Sequence, residues 1–225
     1  MRRLAGSSSA CYPNRMPAPA RLARLRGLYA IVASPAEAAA AVAGGAAVVQ
    51  VRVKDAPAGD VLRIAREAVA LAAGRALVLV NDRADLALLA GADGVHVGDE
   101  DLPPEEARRL VGPELLVGRT TRTLGEARAA IAAGADHVGY GPIFATATKA
   151  LAVPPRGVDA LREVAGGLGA PVVAIGGISA ATIGDVARAG AACAAVVGAI
   201  FAEGDPAANA RRLAGEFERG RRERP

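Results

Sequence analysis

Gln50, Arg52 and Lys54 alternate with Val51 and Val53 where an apolar run ends. An extended chain turns successive side chains to opposite faces, so the three polar groups share one side. Arg52 can hold two phosphate oxygens through its planar fork, and Lys54 adds a compact point charge beside it. Such a row suits a pyrophosphate. It would also suit a solvated strand end with surface cations, but Gln50 still lies inside the apolar run, where a polar group needs a partner.

Carboxylates follow at comparable places. Asn81, Asp82 and Arg83 close another apolar run, and Asp99, Glu100 and Asp101 follow a third. Mg²⁺ takes one or two carboxylates together with substrate phosphate oxygens, so Asp82 and Asp101 are candidate ligands. Each also has a plainer reading as a helix N-cap, Asp82 before a helical stretch and Asp101 before Pro103 and Pro104. Taken as a pair on neighbouring strand ends, facing the cationic row, they point to a metal.

Further along, Gly141 to Lys149 begins a long loop that continues to Arg156. A loop of that length reads as a lid or binding loop. Thr146 and Thr148 offer hydroxyls and Lys149 a charge to an anionic ligand. Gly176, Gly177 and Gly198 follow two later apolar runs, where glycines either cradle a phosphate with backbone N–H groups or make tight turns. His96 and His137 lie within apolar runs and read as packed residues. No Ser/His/Asp or Cys/His arrangement and no zinc spacing can be assembled, which argues against nucleophilic hydrolysis.

The elements that must carry these residues repeat along the chain. Apolar runs at 28–32, 47–51, 76–80, 94–97, 115–118, 137–140, 171–175 and 194–197 have the continuous character of parallel strands buried on both faces. Between them lie helical stretches such as 58–73, 104–111, 124–133, 158–167 and 180–189, with Gly134 and Gly190 suited to helix ends. Eight strand–helix units predict a closed (β/α)₈ TIM barrel, a single α/β domain whose chemistry sits at the C-terminal strand ends. A doubly wound sheet is the alternative, but no GxGxxG follows the first strand.

Size and composition agree. The chain has 225 residues, 52% of them hydrophobic, enough for a sizeable core with few aromatics. The net charge of +4 comes from the ends, because Arg2, Arg3, Arg15, Arg21, Arg24 and Arg26 all precede the first acidic residue, Glu37. Arg211, Arg212, Arg219, Arg221, Arg222 and Arg224 crowd the other end. Without stacking aromatics or a reading module, this distribution argues against nucleic acid. We expect residues 1–26 to form a disordered basic extension, 27–219 the barrel and 220–225 a basic tail. Cys11 and Cys193 read as free thiols of a reducing cytoplasm, and no apolar stretch is long enough to cross a membrane. Phosphorylated small molecules are the expected partners, and a homo-oligomer is compatible with everything above.

Five ordered motifs carry a resemblance. Gln-Val-Arg-Val-Lys (50–54), Asn-Asp-Arg-Ala-Asp-Leu-Ala (81–87), Gly-Ala-Asp-Gly-Val-His-Val-Gly (91–98), the 141–149 segment and Ala-Ile-Gly-Gly-Ile (174–178) together resemble the thiamine-phosphate synthase family. The resemblance runs from about 27 to 201. It implies that Gln50, Arg52, Lys54, Asn81 and Lys149 contact a pyrimidine diphosphate, with Thr120 in place of a family serine. It implies Asp82 and Asp101 as Mg²⁺ ligands. Thr146, Thr148, Gly176, Gly177, Val197 and Gly198 match the contacts of a thiazole phosphate. The implied reaction is displacement of pyrophosphate from the pyrimidine's methylene carbon by the thiazole nitrogen, with Arg52, Lys54 and Lys149 stabilising the departing group.

Three departures stand out. Arg122 occupies a position where the family usually has histidine, Gly198 one where serine is common, and the 141–156 loop lacks the acidic residue that often follows Thr-x-Thr-Lys. The chain also resembles the related thiazole tautomerases around 118–122 and 156–158, though these use a histidine where Arg122 stands. A tautomerase-like relative and a non-catalytic phosphate-binding barrel are therefore the alternatives to a synthase.

Overall fold

All eight apolar runs become parallel strands, described by a computed structural model that covers residues 18–145 and 154–224. They are β1 (Gly27–Val32), β2 (Val48–Val51), β3 (Leu77–Asn81), β4 (Gly94–Val97), β5 (Leu116–Thr121), β6 (His137–Tyr140), β7 (Val172–Ile175) and β8 (Cys193–Val196). Each pairs with the next, and β8 returns to β1 with Gly27 opposite Cys193, so the sheet closes into a barrel without edges. The chain is a single (β/α)₈ domain, as expected.

Between the strands run α2 (Pro35–Ala43), α3 (Ala58–Ala72), α4 (Ala84–Ala90), α5 (Pro104–Val111), α6 (Leu124–Ala132), α7 (Gly157–Gly167) and α8 (Ile183–Arg188). The short α9 (Gly198–Phe201) and the long α10 (Pro206–Arg222) follow β8. The outer face of the sheet and the inner faces of these helices form one apolar core, rich in alanine. Small side chains let helices approach the sheet closely, which explains how so few aromatics suffice. A second, smaller core of Tyr29, Ile31, Val48, Leu77, Leu79, Leu116, Val173, Cys193 and Ala195 fills the barrel interior.

The turns at the mouth are set locally. Ser34 Oγ accepts from the Glu37 N–H, and Glu37 Oε2 accepts from the Ala33 N–H at 2.6 Å, fixing the entry to α2. Thr123 and Glu126 do the same at α6, with Glu126 Oε2 accepting from the Arg122 N–H at 2.7 Å. These paired caps settle how the chain leaves β1 and β5.

The opposite end of the barrel differs from the expected disordered extension. Residues Ala18–Arg24 form α1, and its Leu22 packs with Leu25 against the interior core. Arg21, only 1% exposed, donates to Asp93 Oδ1 at 3.0 Å and to the Glu114 carbonyl. The ordered chain thus begins before residue 27, because this short helix buries apolar surface under the barrel and brings its own charge partner. At the other end α10 runs through Arg222, and a Cβ on Gly220 would stand 2.8 Å from Gly184 Cα. Residues 220–222, expected in a basic tail, instead complete α10, and Gly220 is buried against Gly184 of α8.

Candidate active site

The C-terminal ends of β2 and β3 share one hollow of about 430 Å³, lined by Arg52, Lys54, Asn81 and Asp82 with Val51, Val53, Asp55 and Arg83 among others. β2 and β3 are adjacent, with Val51 opposite Val80, so strand order alone brings the cationic row beside Asn81 and Asp82. The graded exposure follows the barrel wall outward. Gln50 is buried, Arg52 half-buried and Lys54 exposed.

Gln50 does not hang unsatisfied in the interior. Its Nε2 donates to the Tyr29 hydroxyl at 2.7 Å across the β1–β2 pair. Burial pushes the Tyr29 hydroxyl well above its usual range, so it stays neutral. Tyr29 is a residue that the sequence reading passed over, since it looked like one more apolar strand position.

Asp82 has φ of 63°, a left-handed conformation that Asp tolerates better than most residues. Its N–H donates to the His96 carbonyl at 2.8 Å, tying the end of β3 to β4. The N-cap of α4 is Arg83 and that of α5 is Pro103, so neither Asp82 nor Asp101 is a helix cap. Asp101 Oδ2 instead accepts from the Gly98 N–H at 2.6 Å, holding its carboxylate over the end of β4. Arg83, beside Asp82, is committed to Asp85 at 2.6 Å, and this pairing holds the Asp85 carboxyl below its usual range.

On the other side of the β4–α5 turn, Arg122 and Arg119 both pair with Asp99, and Arg119 also donates to the Gly98 carbonyl. The hydrogen bond from Arg122 to Asp99 raises the guanidinium further above its usual range, so Arg122 carries a permanent charge and offers no base. Thr120 lies two residues before Arg122, within β5, and its Oγ1 is 3.0 Å from His96 Nε2. The histidine expected to serve packing alone therefore also touches a candidate site hydroxyl.

Gly176 (φ 99°) and Gly177 (φ 64°) are needed for close approach. A Cβ on Gly176 would stand 2.6 Å from Pro142 Cβ, and one on Gly177 would stand 2.8 Å from Phe144 Cβ. The segment after β6 lies directly on them, with the Phe144 N–H donating to the Gly176 carbonyl at 3.0 Å. Gly198 is different, because a Cβ there would meet nothing within 4 Å. Val197, just before it, packs at the top of the interior core. Thr146, Thr148 and Lys149 lie outside the described residues, between Ala145 and Pro154.

Comparison with known proteins agrees with this fold. The family described as thiamine monophosphate synthase matches residues 28–200. A thiamine-phosphate synthase of Anaeromyxobacter dehalogenans is 69% identical over 204 residues, covering 89% of this chain and 92% of that protein. One of Myxococcus xanthus is 50% identical over 186 residues, covering 82% of this chain and 85% of the relative. The solved thiamine phosphate pyrophosphorylase of Pyrococcus furiosus superposes with a TM-score of 0.81 at 32% identity, covering 89% of this chain and 98% of that one. On the match across the whole barrel, the chain belongs to the thiamine monophosphate synthase family.

Proposed function

We propose that this enzyme joins an aminopyrimidine diphosphate to a thiazole phosphate, forming thiamine phosphate and releasing pyrophosphate. The observation that carries this reading is the single hollow shared by Arg52, Lys54, Asn81 and Asp82 at the ends of β2 and β3. Two cations and an amide converge there on a space roomy enough for a diphosphate, next to a carboxylate that would otherwise repel it.

That carboxylate makes sense with a divalent cation. Asp82 and Asp101 are hard oxygen donors on adjacent strand ends, and the Gly98 N–H holds Asp101 by Oδ2. Two carboxylates are enough for Mg²⁺, which relies on substrate oxygens and water for the rest of its shell. When bound, Mg²⁺ would neutralise the charge that collects on the departing pyrophosphate.

The protein's own groups do the rest. The C–O bond between methylene and diphosphate breaks as the thiazole nitrogen forms its bond to the same carbon. Arg52 grips the leaving oxygens bidentately and Lys54 adds charge from the rim. Thr120 supplies a hydroxyl from β5. Gln50, aligned by Tyr29, presents its amide to the pyrimidine. Gly177 and Gly198 leave backbone N–H groups accessible for the thiazole phosphate, and Thr146, Thr148 and Lys149 are assigned to the same phosphates. Catalysis is positioning and electrostatics without a protein nucleophile. Arg122, locked on Asp99, has no proton to exchange near neutral pH, which sets the chain apart from a tautomerase using histidine there.

We place the enzyme in the cytoplasm. Cys193 is a free thiol buried in the barrel, and no described helix is long and apolar enough to cross a membrane. The deciding experiment follows thiamine phosphate formation with Mg²⁺ and with chelator, in the native protein and in Asp82→Ala. Mg²⁺-dependent product that collapses in the variant supports the synthase and its metal together. Phosphate binding without turnover would replace this reading by a binding barrel.

A further inference from the structure

Two imidazoles meet inside the barrel beneath Thr120. His96 on β4 is in register with Gly118 on β5, and Gly118 is in register with His137 on β6. The glycine between them is what admits both rings. A Cβ at Gly118 would stand 2.6 Å from His96 Nδ1 and closer still to His137 Nε2, so both nitrogens border the space left by the missing side chain. Gly139 makes the same allowance one step up, where a Cβ would stand 3.1 Å from His96 Cε1. The ring centroids are 5.9 Å apart. His96 Nδ1 and both nitrogens of His137 are buried without a hydrogen-bond partner among the described residues, a costly state for groups that could satisfy one another. The upper nitrogen, His96 Nε2, is the one 3.0 Å from Thr120 Oγ1.

We propose that His137, His96 and Thr120 form a directional hydrogen-bond relay that aims the Thr120 hydroxyl at the substrate's diphosphate. This rests on the synthase reading, which puts Thr120 against that diphosphate. The direction follows from the ligand's chemistry. A diphosphate oxygen only accepts, so Thr120 must donate its O–H upward and accept from below. His96 then carries its proton on Nε2 and is an acceptor at Nδ1. His137 must answer with a proton on Nε2, across the space beside Gly118 that both nitrogens border. Only His137 Nδ1 is left over, as a neutral lone pair. His137 suits the role in neutral form, since burial pushes it down to about 3. Aligned donors polarise one another, so the lower histidine strengthens a contact it never touches. His137 and His96 are positioning residues, and Thr120 alone meets the substrate.

The test is a coupling measurement on Thr120→Val, His137→Phe and the double variant. It reads KM for the pyrimidine diphosphate and, separately, Mg²⁺-pyrophosphate affinity. Each single change should raise KM about tenfold, as expected for losing one hydrogen bond to a charged group. The double variant should be no worse than Thr120→Val, because the relay ends there. Additive penalties, or no penalty from His137→Phe, would overturn the relay. His137→Gln, which keeps a donor near Nε2, should restore most of the loss. Imidazole ¹⁵N shifts of the native protein with pyrophosphate bound give a check that needs no variant. Both rings should be protonated at Nε2, and a proton on His96 Nδ1 would sink the proposal. Failure of the synthase reading looks different: the native protein binds pyrophosphate and makes no thiamine phosphate.

Discussion

The Gln50 side chain is held by Tyr29 across the first strand pair, through a 2.7 Å hydrogen bond inside an apolar barrel. Tyr29→Phe keeps the ring and removes the partner, leaving a buried amide donor unsatisfied. We expect a loss of about 1–2 kcal/mol, seen as a Tm lower by roughly 2–8 °C. KM for the pyrimidine diphosphate should rise as well, because Gln50 loses its fixed orientation. Gln50→Leu in the Tyr29→Phe background should recover stability without recovering KM. Thermal unfolding and initial-rate kinetics on the three proteins separate the two effects.

Stability should fall in mild acid on account of the buried histidines. Burial lowers His137 to about 3 and His96 to about 4, against an unfolded value near 6.5. As pH drops below about 6.5 the unfolded chain takes up protons that the folded one refuses, so the unfolded state gains. Their contribution is complete above that pH and shrinks towards pH 4, by at most about 1.4 kcal/mol per pH unit for each ring. Down to pH 5 both rings stay neutral in the folded chain, so the two contribute about equally in that range. The difference in Tm between pH 7.5 and pH 5 should narrow in His137→Phe. An unchanged difference would mean that His137 titrates normally.

Most of the frame was legible because its physics is local. Buried parallel strands leave continuous apolar runs, and Gly134 and Gly190 (both φ 99°) sit at the helix ends where they were expected. The cationic row was legible for the same reason, since period two needs no tertiary knowledge. What escaped was set by partners far away in sequence. Arg21 looked like one arginine of a basic extension, and only Asp93 and Glu114, 72 and 93 residues on, make it a buried residue. Its signal was faint, lying in Leu22 and Leu25 beside it. His96 gave no sign of Thr120 because the contact depends on strand register. The capping alternative for Asp101 failed because Pro103 opens α5 and the carboxylate turns back to Gly98.

Arg21 offers a stability test remote from the site. Its guanidinium is almost fully buried, while Asp93 keeps 27% of its side chain exposed and also accepts from the Val78 N–H at 2.9 Å. Arg21→Ala breaks a largely buried pair, but Asp93 can turn to water, so we expect about 2–3 kcal/mol, below the full cost of a stranded charge. Tm should drop by roughly 4–12 °C. The kcat measured well below Tm should not change, because α1 closes the end of the barrel opposite the substrate hollow. A fall in kcat at low temperature would show that the bottom of the barrel is coupled to its mouth.

The glycines around the mouth should divide sharply on substitution. At Gly177 a side chain meets Phe144 and the Ala145 carbonyl in a left-handed backbone, so Gly177→Ala must displace the segment after β6. We expect loss of most activity with little change in the secondary structure of the barrel. Gly198 has open space around it and no left-handed φ, so Gly198→Ser should fold normally. If the thiazole phosphate lies over the ends of β7 and β8, the new hydroxyl donates to it. KM for the thiazole phosphate should then fall severalfold, the effect of about 1 kcal/mol for one added hydrogen bond, with KM for the pyrimidine diphosphate unchanged. A Gly198→Ser enzyme with the same affinity for both substrates would place that phosphate elsewhere on the rim, most economically on the Gly176–Gly177 turn alone.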